Sequence, residues 1–282
     1  YEESNIMDAL HLTRTIQSGK SASFPATWKV GAGYHTPGNQ LLGSQTMNKN
    51  EMIISIDDLL VSDVFLANVE EAMAHVDYRS IYSAEVGAAL ARASDKRTLQ
   101  TAILTARSAA FVTGKPGGSA ITQALAKTDG NLLAAAISAG AVAMDEKDVP
   151  EAGRSVILKP AQTHLLSQTK DVVHKDTGGD GSTSTGYIGS IDNVKVMKSN
   201  NVPQAVVADE TGDNNVYGGD FSNTVGVIMH QGAIGTVKLM DLSVEMTGHD
   251  FAVTNQGTLI VGKYLKGHGI LRPECAVEIK VA

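Results

Sequence analysis

The chain has 282 residues, 43% of them apolar, 19% charged and only 5% aromatic, which allows one large or two modest domains with a core of Ala, Val, Ile, Leu and Met. Lys plus Arg number 23 against 30 Asp plus Glu, a formal net charge of −7; this excludes a basic protein that grips nucleic acid over its whole surface. Cys275 is the only cysteine, so no internal disulfide or Cys-based metal site can form, and no apolar run approaches the roughly 18 residues of a membrane helix.

The start, Tyr1-Glu2-Glu3, is no signal peptide and lacks an initiator Met, so a processed or partial form of something longer is expected. The first clear pattern begins at Ala22. Ala22, Phe24, Ala26, Trp28, Val30, Ala32 and Tyr34 hold the even positions, with mostly polar residues or Gly between them. Period-two alternation marks a strand with one covered face, about 40 Å long at ~3.3 Å per residue. Pro25 cannot donate to a ladder, which points to an edge position or an unpaired site. Thr36-Pro37-Gly38-Asn39 reads as a turn, and Met52, Ile54 and Ile56 resume alternation. Residues 18–57 therefore form one extended hairpin. A two-stranded hairpin alone is marginal in water, so its apolar stripe needs a cover. Two readings stand here: an arm lying on another copy, or a hairpin folded back on its own domain.

A long helix follows. Asn68 with Glu71 makes a capping-box pattern, and Val69, Met73, Val76, Val86, Leu90 and Ala93 recur at helical spacing. An unbroken run from Val69 to about Ala110 would be about 60 Å long at 1.5 Å per residue, with Gly87 its interior weak point. Asp57 and Asp58 read as charge near the helix start, and His75 as a surface or interface residue. Gly114-Lys115-Pro116-Gly117-Gly118 is a loop and domain boundary. Residues 120–147 read as helices, stopped by Pro150. Ser155 to Leu158 reads as a buried strand and Ala161 to Gln168 as a helix with Pro160 near its start.

Residues 177–186 and 209–220 are polar loops. Strands dominate from Val225 onward. Within residues 236–246, Val237 and Leu239 share one face while Leu242, Val244 and Met246 continue out of phase, which predicts a β-bulge or bend. Val277, Ile279 and Val281 alternate with Glu278 and Lys280. Cys275, in an apolar stretch, is expected to be an inert buried thiol.

Chemical motifs fail one by one. Gly19-Lys20-Ser21 ends like a P-loop, but Arg14 stands where that motif needs glycine, and the segment leads into a strand rather than a helix. Asp176-Thr177-Gly178 matches an aspartic-protease triplet but follows His174 and Lys175 rather than an apolar strand. The eight His are dispersed without zinc spacing, and His268, between two glycines, reads as a loop residue. The acids of 209–215 miss the EF-hand spacing, leaving room only for loose cation binding. Nothing assembles a nucleophile, a base and an oxyanion site, so no catalytic residue, metal or cofactor is expected.

The residues themselves carry a resemblance. RTIQSGKSASFP (Arg14 to Pro25) resembles the start of the extended loop in major capsid proteins of T-seven-like short-tailed phages. IDDLLVSDVFLANVEEAMAHVDYRS (Ile56 to Ser80) is similar to the lead-in and first half of their spine helix. MHQGAIGTVKLMDLSVE (Met229 to Glu245) and KYLKGHGILRPECAV (Lys263 to Val277) resemble their C-terminal strands. The matches lie at both ends of the chain and cover roughly half of it.

The resemblance implies an α+β Hong Kong 97-like capsid fold. Its parts would be a residual N-terminal arm (1–13), an E-loop hairpin (14–57), a peripheral domain with the spine helix (58–119), an axial domain (120–228) and a return to the peripheral domain (229–282). It implies an icosahedral shell of hexamers and pentamers enclosing double-stranded DNA, assembled in the host cytoplasm. The implied partners are a scaffolding protein, a portal protein at one vertex and DNA held without sequence specificity, with no membrane. The candidate subunit interface is Phe24, Trp28, Tyr34 and Pro37. An encapsulin-like compartment shell is the alternative within this fold. A hydrolase using the loops at 176–187 and 209–220 is the alternative outside it. A tail or surface adhesin would show repeats or strands throughout, and this chain shows neither.

Overall fold

The computed structural model describes residues 7–40, 47–73, 77–169, 181–182 and 187–282. The N-terminal part contains β1 (Leu12–Thr15), the hairpin strands β2 (Ser21–Thr27) and β3 (Lys49–Ser55), β4 (Leu60–Ala67), a short α1 (Asn68–Met73) and α2 (Tyr78–Arg107). The middle contains β5 (Ser119–Thr122), α3 (Gly130–Asp145), β6 (Arg154–Leu158), α4 (Pro160–Gln168) and the short strands β7 (Gly181–Ser182), β8 (Tyr187–Ile188) and β9 (Ser190–Ile191). It continues with β10 (Val194–Lys198), β11 (Val206–Val207) and β12 (Gly219–Asp220). The C-terminal part contains β13 (Thr224–His230), β14 (Ile234–Met246), α5 (His249–Asn255), β15 (Gly257–Ile270) and β16 (Ala276–Lys280).

Two sheets organise the chain. A six-stranded sheet has the order β5-β16-β13-β6-β10-β9 and a four-stranded sheet the order β1-β14-β15-β4. Every residue of β6 is buried, as is all of β13 up to Met229. Both faces of these central strands are covered, which is why they read as continuous apolar runs. Gly140 of α3 packs on Ile228; Arg107 of α2 reaches Glu278 on the opposite face, since Ile228 pairs with Val277 and adjacent strand residues point to opposite sides. At its other end α2 crosses the four-stranded sheet, with Val86 and Leu90 seated over Gly262. One helix therefore rests on both sheets.

Several expectations need correcting. The long helix is divided. Asp77 adopts an extended ψ of 90° and its side chain accepts from the Ser80 amide, so it caps a new helix start and α2 begins at Tyr78. The 30 residues of α2 span about 45 Å at 1.5 Å per residue, not 60 Å. Glu71 serves in an ion pair with Arg79 at 2.6 Å rather than in a capping box. His75 lies outside the described residues, as does most of the 177–186 loop.

The first hairpin strand is shorter than its alternation. β2 pairs with β3 from Ser21↔Ser55 to Thr27↔Lys49, and Trp28 N donates to Asn48 O at 3.2 Å as a final rung. Beyond it, Gly31 and Gly33 carry no side chain to pack and weaken the strand. Residues 119–122 form β5, not helix, because Ile121 alternates inward in parallel pairing with β16. His268 is not in a loop: it lies in β15 and is buried. Asp57 is not helix-start charge but a buried residue between β3 and β4.

The expected irregularity in β14 is present. Its register against β15 shifts between Lys238 and Met240 and again between Met240 and Ser243. Cys275 is buried, and burial raises its thiol to about 11.

Candidate subunit interface

The hairpin is rooted in its own chain. Ala22 and Ile54 pack with Ile56, Val237 and Leu271 in a small apolar cluster, with Phe24 against its rim. The Arg14 guanidinium lies 5.6 Å from the Phe24 ring centroid. A cavity of about 280 Å³ opens beside it, lined by Leu12, Phe24, Met52, Lys115, Leu271 and Arg272 among others.

Further out, the hairpin leans on residues 111–115. Asn48 Nδ2 donates to Thr113 O at 2.9 Å and Asn50 Nδ2 to Phe111 O at 2.6 Å. Trp28, half-buried, has Lys29 Nζ 5.3 Å and Lys115 Nζ 5.5 Å from its ring centroid, so the indole lies against two cations. Lys115 in turn pairs with Glu274 at 2.8 Å, both side chains almost fully buried. Lys29 also pairs with Asp148.

The four expected interface residues are thus separated. Phe24 and Trp28 face their own chain. Every residue from Lys29 to Gln40 is exposed. Tyr34 is 111% exposed, and Pro37 sits in a turn closed by Asn39 N donating to Thr36 O at 3.2 Å. Val30, Met47 and Ile53 are also exposed apolar side chains of this arm.

A second uncovered apolar surface escaped the sequence reading. On β4, Val61 and Phe65 are exposed and alternate with half-buried residues. They pair with Lys263 and Leu259 of β15, and Leu265 of the same row pairs with the exposed Met240. This row points away from α2, because Gly262 faces the helix and its neighbours point oppositely. The alternation within LVSDVFLA (Leu60 to Ala67), directly before the helical pattern, carries that signal.

The hairpin's exit is held by a polar cluster. Asp57 is buried and accepts hydrogen bonds from the Tyr217 hydroxyl, from Asn215 Nδ2 at 2.9 Å and from the Asn214 amide at 2.9 Å. Burial pushes the Asp57 carboxyl above its ordinary range, and these donors pull it back. Burial, then the adjacent carboxylate, raise the Tyr217 phenol far enough to keep it protonated. The Tyr217 oxygen also accepts from the His268 amide at 2.9 Å. Asp209 and Asp213, once candidates for loose cation binding, are occupied within the protein: Asp209 Oδ1 accepts from the Tyr217 and Gly218 amides at 2.7 and 2.6 Å, and Asp213 pairs with Arg97 at 2.7 Å. Among the described residues no group of three acidic, His or Cys side chains is placed to hold a metal ion.

Comparison with known proteins places this geometry. A family model described as Gp10A-like major capsid protein matches residues 23–280. The major capsid protein of Escherichia phage T7 is 29% identical over 315 residues, covering 98% of this chain and 86% of the phage protein. The solved capsid structure of the cyanophage P-SCSP1u superposes with a TM-score of 0.93 at 38% identity, covering 100% of this chain and 89% of that one. The mature capsid of bacteriophage PhiM1 shares the fold, with a TM-score of 0.80 at 18% identity over 99% of this chain and 87% of the other.

Proposed function

Because this chain belongs to the Gp10A-like major capsid protein family, it is a structural subunit of an icosahedral phage capsid with a Hong Kong 97-like fold, and we propose that it closes that shell as hexamers and pentamers whose hairpin arms lie across neighbouring copies. The observation that carries this reading is the arm beyond Trp28. Among the described residues, it leaves Val30, Tyr34 and Met47 exposed. A self-assembling protein has copies of itself as the nearest cover, and the uncovered row of Val61 and Phe65 offers a matching apolar surface. The parts implied by the resemblance suit this proposal: residues 14–57 as the arm, 58–119 and 229–282 as the peripheral domain, 120–228 as the axial domain.

The finer partners follow from the same proposal. A scaffolding protein guides curvature during assembly in the host cytoplasm, a portal protein replaces one vertex, and double-stranded DNA fills the shell without sequence-specific contact. The mildly acidic chain suits DNA that is confined rather than gripped. The encapsulin-like and hydrolase readings are not favoured by the family match.

Electron microscopy of the expressed chain, with and without a scaffolding partner, tests the proposal. Wild-type protein should give closed particles, and Tyr34→Ala should lower their yield while leaving the subunit's melting temperature unchanged. Wild-type particle yield from Tyr34→Ala would refute the arm contact.

A further inference from the structure

The arm leaves the body of the protein through Ser55, Ile56, Asp57 and Asp58. Each of these residues is tied to one loop, residues 212–217. Ser55 N donates to Asn215 Oδ1 at 3.3 Å and Ser55 O accepts from Asn215 Nδ2 at 2.7 Å. Ile56 O accepts from Asn214 Nδ2 at 2.7 Å. Asp57 is pinned by Tyr217, Asn215 and Asn214 as described. Asp58 N donates to Gly212 O at 2.9 Å. The Asn215 side-chain amide thus takes both the donor and the acceptor of the departing Ser55 backbone.

That loop is itself fastened to the long helix. Arg97 of α2 pairs with Asp213 at 2.7 Å and Glu210 at 3.4 Å, and its guanidinium lies 5.7 Å from the Tyr217 ring centroid. Asp209 braces the loop from within by accepting from the Tyr217 and Gly218 amides. The chain of contacts therefore runs from α2 to the loop and from the loop to the arm's exit.

We infer that Asn214, Asn215 and Tyr217 are positioning residues for assembly: they set the direction of the hairpin arm relative to α2. This rests on the reading of the hairpin as an intersubunit arm. The leverage is large. A seven-residue ladder is about 23 Å long at 3.3 Å per residue, so a turn of about 5° at its root moves the ladder's far end by about 2 Å. Packed interfaces do not absorb a shift of that size continuously. An arm with a loose root meets its neighbour in the wrong place even when its tip residues are intact.

Asn215→Ala removes both bonds to Ser55 and one to Asp57. Asn214→Ala, at an exposed position, removes the bond to Ile56 and serves if the first variant folds poorly. Hydrogen exchange on the full chain in capsomers should show the β2 and β3 amides exchanging about ten-fold faster or more, with β6 and β13 amides unchanged. Electron microscopy should show misclosed or open shells in place of closed ones. Ile137→Val, a core change far from the root, controls for lost stability and should leave arm exchange and closure intact. Unchanged arm exchange with wild-type particle yield in both Asn variants overturns the inference. If Tyr34→Ala then abolishes closure while the Asn variants do not, the arm reading stands and the positioning role fails. If none of them affects closure, the arm reading fails as well.

Discussion

The carbonyl oxygen of Ser55 lies directly over Gly267, so near that a Cβ on Gly267 would stand 1.9 Å from it. The Ser55 carbonyl carbon and Ile56 Cα would be 2.9 and 3.0 Å away. All three are backbone atoms and cannot rotate aside. Gly267→Ala must therefore displace the hairpin root or the β15 strand, a strain of about 1–3 kcal/mol. Thermal unfolding of the variant should show a lower midpoint, with the loss of exchange protection concentrated in β3. An unchanged midpoint would mean that the root yields more easily than its packing allows.

Arg107 and Glu278 form a two-pronged ion pair, Nε to Oε2 at 2.7 Å and Nη2 to Oε1 at 2.6 Å. Thr224 Oγ1 adds a donor to the same carboxylate at 2.7 Å, and Glu278 is fully buried. Arg107→Ala strands that carboxylate among apolar neighbours. The cost should be about 3 kcal/mol, the low end for breaking a buried pair, because Arg107 keeps a third of its side chain in water. The double variant Arg107→Leu with Glu278→Leu should recover much of the loss. Urea unfolding of both decides it, and a double variant less stable than Arg107→Ala alone would contradict the argument.

Trp28→Ala removes the ring that lies against Lys115 and Lys29. The shaft then keeps the two Asn side-chain bonds to residues 111 and 113 and the Lys29–Asp148 ion pair as its rest. Assembly yield should fall more than the subunit's melting temperature, because the lost contact orients the arm and is peripheral to the main core. Equal losses in the two measurements would assign Trp28 to stability alone.

Acid should weaken the subunit below about pH 6.5. His268, His11 and His230 all have lowered pKa values, each chiefly through burial. A His with a depressed folded pKa is neutral in the fold but takes up a proton once unfolded. Its contribution is fully present above the unfolded value of about 6.5 and is lost as pH falls from there toward the folded value. Asp57, raised by burial, acts in the opposite sense, adding stability as pH falls toward 3.8, and so partly offsets the loss at the acid end. Melting temperatures measured from pH 7.5 to 5 should decline, and His268→Gln should flatten that slope. A flat wild-type profile would rule out these histidines as the acid-sensitive groups.

Much of this architecture was legible because its signals are local. Ser155 to Leu158 is an apolar run with a Pro-started helix behind it, and both elements form where that pattern places them. The phase slip after Leu239 announced the irregular β14 ladder. What escaped depends on distant partners. Asp57 looked like ordinary acidic charge because the residues that make it a pin, Asn214, Asn215 and Tyr217, lie about 160 positions away. Glu278 looked like the wet side of an alternating strand until Arg107 came across to it. The long helix misled for the converse reason: Asp77 is one residue inside a helical pattern, and only its extended backbone shows that it starts a helix there. The apolar stripe of the arm was visible, but not that Phe24 and Trp28 use it on their own chain while Tyr34 does not.

The single helix shared by both sheets has a mechanical meaning. Val86 and Leu90 seat its first half on the four-stranded sheet and Arg107 bolts its end to the six-stranded one. In a closed shell each copy is pushed by its neighbours at several points. A push on either sheet is carried to the other along the roughly 32 Å of hydrogen-bonded backbone from Val86 to Arg107 at 1.5 Å per residue, which resists folding of the subunit at its middle. Adjustment between neighbouring copies in the shell is thereby left to the parts that α2 does not carry, above all the exposed end of the arm.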